Sequence, residues 1–135
     1  MSKEEKLLNE WVERLGLQDW AIALRYDCEL EDLNWDNACA TTNFESTTKT
    51  AIIRMVKPEL ATGRLLDYDF EQTLVHELMH VKLTLLAIEP NSLANSMLEL
   101  AIHQLVDDLA RALVMAKRGE TKRKLAVKKV KPMGK

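Results

Sequence analysis

His76, Glu77 and His80 stand within Thr73–Leu83, TLVHELMHVKL, a run that otherwise reads as the apolar side of a helix. Residues four apart lie on one helical face, so His76 and His80 project together and can each give a ring nitrogen to one tetrahedral Zn²⁺. Glu77, beside the first histidine, can reach a metal-bound water as general base. An isolated buried histidine is more often a core residue bonded to backbone or carboxylate. The pair with Glu between them has the H-E-x-x-H arrangement, in which each residue type has a task.

A catalytic zinc site needs a third protein ligand and an open position for water. Near the end of the chain Glu99, His103 and Asp107 recur every fourth residue and form a polar line along an otherwise apolar helix. Polar groups on a packed face demand a partner, and zinc is one. Glu99 is the expected metal ligand with His76 and His80, and His103 or Tyr68 then has the task of donating to the oxyanion. The alternative makes His103 the ligand, with Asp107 fixing its tautomer. Glu99 also fits a helix-start device, since Ser96 to Glu99, SMLE, has the capping-box pattern. Tyr68, just before a helix, equally fits a packing role.

The elements that must position these groups follow from periodicity and caps. Ser2 with Glu5 makes a capping box, apolar residues recur helically from Leu7 to Leu15, and Gly16 stops a helix of Lys3 to Leu15. Trp20, Ile22 and Leu24 alternate in DWAIALRYD as a half-buried strand, and CELEDLNWDN reads as a loop. ACATTNFE and TKTAIIRMVK, parted by a Ser/Thr-rich turn, pair as a hairpin. Asp69 and Gln72 form a second capping box, opening a helix from Phe70 to about Ala87 that EPNS ends. A last helix spans about Leu93 to Lys117, with Leu98, Ile102, Leu105, Leu109 and Leu113 along one face and Gly119 as its stop; it packs on the motif helix. The order gives an α+β fold: an N-terminal helix, a small, mostly antiparallel sheet of three or four strands, the motif helix and a C-terminal ligand helix.

At 135 residues, 47% apolar with only 4 Gly and 3 Pro, the composition is that of one globular domain, not a disordered chain. No apolar run reaches the ~18 residues of a membrane span, and the start, MSKEEKLLNEW, has no signal-peptide core, so the expected location is cytoplasmic. Cys28 and Cys39 are too few to staple a secreted scaffold and are expected as thiols. Nine of the 19 Lys and Arg residues lie in Lys117–Lys135 against Glu120 alone, leaving ten basic and 20 acidic residues before them. An acidic body, residues 1–118, therefore carries a basic tail, residues 119–135. That tail is a solvated end, a phosphate-gripping contact to nucleic acid, or a segment folded back over the cleft. It lacks the interleaved aromatics that stack on bases, so any nucleic-acid contact is through the tail only and without sequence readout.

HELMH followed by a helix bearing ELAIHQLVDDLA resembles the compact gluzincin-type zinc metallopeptidases, especially the minigluzincins and the small phage-type peptidases related to the repressor-cleaving and SprT-like families. The resemblance covers roughly Trp20 to Ala116 and is sharp only in the five-residue motif. It implies a single zincin-like domain in which His76, His80 and a downstream Glu bind zinc and Glu77 is the base. In the repressor-cleaving kind a small polar residue follows the ligand Glu by four positions, and Glu99 with His103 falls on that spacing. The chain departs from the gluzincin habit of an Asp there. Zincin substrates usually pair as extended peptides with an edge strand beside the motif helix, and TAIIRMV is the candidate.

The function so implied is hydrolysis of a peptide bond in a protein or peptide substrate, by a small zinc-dependent endopeptidase of phage or bacterial type. Zinc would lower the pKa of its bound water, Glu77 would take the proton, and the leaving amine would receive it. The alternative from another class is a non-catalytic, zinc-stabilised binding or regulatory module of the same fold, in which four protein ligands close the metal. A metal-free helical domain is the third possibility, marked by stability indifferent to chelators.

Overall fold

The structure is a computed structural model that describes residues 1–29, 33, 39–57, 68–83 and 93–129, with backbone alone at 93–96 and 121–129. Helix α1 is Lys3–Arg14, strands β1, β2 and β3 are Ala21–Cys28, Ala40–Glu45 and Thr50–Val56, and helices α2 and α3 are Phe70–Lys82 and Leu93–Lys129. This is the expected α+β layout, with helices packed on a three-stranded sheet. Among the described residues no helix is long and apolar enough to cross a membrane.

Local chemistry explains the helix ends. The Ser2 hydroxyl accepts from the Glu5 amide at 3.1 Å while Glu5 reaches back to the Ser2 amide, the reciprocal box that satisfies two N-terminal donors. Leu15 caps α1, and Gly16 takes a left-handed φ of 70° that costs glycine little. Asp69 caps α2 by accepting from the Gln72 amide at 3.0 Å. Helix α2 ends at Lys82, short of the expected Ala87; residues 84–92, with the EPNS break, lie outside the described residues, as does most of the CELEDLNWDN loop.

The sheet order is β1-β3-β2. The expected β2–β3 hairpin is the antiparallel pair, with Thr42 opposite Ile53, but β1 adds in parallel, with Ile22 opposite Ala51 and Leu24 opposite Ile53, so the sheet is mixed and not mostly antiparallel as expected. TAIIRMV, expected as a substrate-facing edge, is instead the central strand β3. Its side chains explain the place: Ala51, Ile53, Met55 and Val56 are all buried, and only a strand paired on both sides buries so much. The edge strand on which α2 packs is β2.

Helix α2 lies between the sheet, α1 and α3, and buries Leu74, Val75, Leu78, Met79 and Val81. A network fixes the other helices to its N-terminal turn. The Trp11 indole donates to Glu71 Oε2 at 2.8 Å, Lys117 bridges Glu10 and Glu71, and the Arg118 guanidinium forks onto both oxygens of Asp69 at 2.8 and 2.9 Å. Arg118 thereby holds the Asp69 carboxyl below its ordinary range. For Glu71 burial pushes the pKa up, but the bonds from Lys117 and Trp11 outweigh it.

Two expectations for the last helix fail. Of the expected face only Ile102 packs on the core, in line with buried Val106, Ala110 and Val114, while Leu98, Leu105, Leu109 and Leu113 are exposed. Side chains two residues apart on a helix point roughly 160° apart, so burying Leu105 and Leu109 would turn His103 and Asp107 away from α2. Nor does Gly119 stop the helix, which continues to Lys129 across the expected boundary at residues 118 and 119. One glycine costs about 1 kcal/mol against alanine and does not outweigh the surrounding helix formers. A Cβ at Gly119 would meet nothing within 4 Å, so Gly119→Ala is expected to stabilise the helix by about 0.5–1 kcal/mol, read as a higher urea midpoint.

Candidate metal centre

Helices α2 and α3 bring His76, His80 and His103 together. One nitrogen from each lies within 4.8 Å of the others, close enough to hold a metal ion. Nε2 of His76 and Nε2 of His80 are 3.2 Å apart, and the His80 and His103 rings sit edge to face with centroids 4.9 Å apart. Two ligand nitrogens at tetrahedral angles on Zn²⁺, with Zn–N near 2.0–2.1 Å, would be about 3.3 Å apart, so the α2 pair fits zinc as it stands.

The groups around the rings suit ligation. Nδ1 of His76 faces Asp107 Oδ1 at 3.5 Å, and the other Asp107 oxygen accepts from Arg111 at 2.8 Å. With its Nδ1 turned to a carboxylate, His76 keeps Nε2 for the centre. Burial, and then the charges of His76 and His103, pull the His80 pKa down to about 4, so His80 stays neutral near pH 7, the form in which imidazole binds metal.

Glu77 sits beside this group and is almost wholly buried, which pushes its carboxyl pKa up. Its Oε1 accepts from the Thr42 hydroxyl on β2 at 2.8 Å, and its Oε2 is 3.9 Å from His76 Nε2. A cavity of about 210 Å³ opens here, lined by Cys39, Ala40, Gln72, Thr73, His76, Glu77 and Asp107.

The remaining candidates fall elsewhere. Glu99, expected as the third ligand, is exposed one helical turn before His103 and is outside the group, whose third place His103 takes. The capping role for Glu99 also falls, because α3 begins at Leu93 and Ser96 is already inside it. Asp107 faces His76, not His103. Tyr68, like Cys39, packs against Leu33 and Val56, its buried hydroxyl meets no partner among the described residues, and it does not line the cavity. Thr42 was not foreseen. Its only sequence signal is the alternation that puts it on the same face of β2 as Ala40 and Phe44.

No known family model matches the chain, and neither a curated protein nor a solved structure matches it.

Proposed function

We propose that the protein is a small zinc-dependent peptidase of zincin type, in which His76, His80 and His103 hold the metal and Glu77 is the general base. The observation that carries this reading is the grouping of three histidine nitrogens within 4.8 Å of one another, with an oxygen of buried Glu77 3.9 Å from Nε2 of His76. With His103 as third ligand, Asp107 stands four residues after it, the position where gluzincins habitually have Asp, and it approaches the first motif histidine.

Zinc held there would supply Lewis acidity to a peptide carbonyl and make an adjacent water more acidic. Glu77 takes the proton of the attacking water on Oε2 and returns it to the leaving amine, so that one carboxylate serves as base and then acid. The cavity beside Glu77 has room for one substrate side chain, and the neighbouring edge strand β2 can pair with an extended peptide.

A closed structural zinc site needs four protein ligands, and among the described residues the group has three. A catalytic centre would leave the fourth position to water, whereas a binding module would close it with a protein ligand. The test is cleavage of fluorescein-labelled denatured casein by the full chain loaded with zinc. Cleavage that a strong chelator abolishes and added zinc restores is expected; no cleavage above the Glu77→Gln background would contradict peptidase activity.

A further inference from the structure

We infer that Thr42 is the positioning residue of Glu77: its hydroxyl holds one carboxylate oxygen so that the other faces the three histidines. This rests on the hydrolytic reading only for its consequence; the placement itself stands on geometry. Thr42 lies on β2 opposite Ile53, and directly paired residues share a face of the sheet. Ile53 is fully buried in the central strand, so the Cα of Thr42 is held by the core. Threonine is stiff about χ1, and its hydroxyl reaches Glu77 Oε1 at 2.8 Å.

The two carboxylate oxygens thereby acquire different tasks. Oε1 is occupied as acceptor of the Thr42 hydroxyl, while Oε2 lies 3.9 Å from Nε2 of His76. In the proton transfer the water O–H bond breaks and an O–H bond forms on Oε2; Thr42 keeps its own proton throughout. Without the hydroxyl, Oε1 loses its only donor among the described residues and the carboxylate is free to turn. A displacement of about 1 Å in a reacting group can cost on the order of 100-fold in rate.

The test uses the full chain in its zinc form and with Co²⁺ in place of zinc, comparing wild type, Thr42→Val, Thr42→Ser and Glu77→Ala. Thr42→Val is isosteric, and is expected to keep its metal and the wild-type circular dichroism. Its kcat on labelled casein should fall about 10- to 100-fold with KM unchanged, and Thr42→Ser should recover to within about threefold. In the Co²⁺ form the visible absorption should move in Thr42→Val in the same sense as in Glu77→Ala, and stay in place in Thr42→Ser. A Co²⁺ spectrum that Thr42→Val leaves unchanged, or a Thr42→Ser variant as impaired as Thr42→Val, overturns the assignment. If no form cleaves casein but the spectrum responds as described, the positioning stands and peptide hydrolysis does not.

Discussion

Glu77→Gln is expected to stop turnover while leaving the metal in place. The amide keeps the size of the carboxylate and can still accept the Thr42 hydroxyl, so the packing around a residue that is 7% exposed is preserved. What it cannot do is take a proton. Loss of a general base costs roughly 10²–10⁴-fold in rate, and on the proposed mechanism, where the same group is then the acid for the leaving amine, the upper part of that range applies. The metal-free variant should melt no lower than wild type, since the substitution removes a carboxylate whose ionisation burial opposes. Steady-state cleavage, elemental analysis and a melting curve on one preparation check all three. Wild-type turnover in Glu77→Gln, or loss of metal with it, would contradict the role given to Glu77.

Stripping the metal should lower the melting temperature, and zinc should restore it. An ion bound only by the folded chain stabilises it by about 4 kcal/mol when free metal exceeds the dissociation constant a thousandfold, on the order of 10 °C for a domain of this size. The centre suits such coupling, because its ligands come from two helices, α2 and α3, that the metal would tie together. Acid should separately destabilise the metal-free chain. His80 has its pKa lowered to about 4 in the folded chain, so between there and the unfolded value near 6.5 the unfolded chain takes up a proton that the folded one refuses. Stability is therefore lost as pH falls through that window. Scanning calorimetry at neutral pH with zinc, with chelator and with zinc restored checks the metal linkage, and superimposable curves would mean that no metal is linked to folding; the chelated chain scanned from pH 6.5 down to 4 checks the acid loss.

The parts of this fold legible in the sequence were those written by local rules. The Ser2–Glu5 box, the Asp69 cap, the β2–β3 hairpin and the start of α3 depend on neighbours a few residues away, and each appears where expected. The rotation of α3 does not. Its leucines made the more apolar stripe, yet Val106, Ala110 and Val114 face inward, because His103 and Asp107 flank that line and meet α2 only in this orientation. Hydrophobicity counted along one helix cannot weigh a polar contact with another.

The same limit shaped the site. His76, Glu77 and His80 lie on one turn, so their convergence followed from helical spacing alone. Glu99 and His103 are one turn apart on α3, and choosing between them required the height at which α3 crosses α2. Ion pairs outside the histidine group help to fix that height, where Lys117 and Arg118 meet Glu71 and Asp69. Thr42 was harder still, being joined to Glu77 across 35 positions of sequence by the sheet register.

The most direct test of the three-histidine centre is the metal content, by elemental analysis, of protein purified without added metal as wild type, His103→Ala and Glu99→Ala. About one zinc per chain in wild type and in Glu99→Ala, with none in His103→Ala, is the expected result. Zinc kept by His103→Ala and lost from Glu99→Ala would contradict it and return the third ligand to the carboxylate.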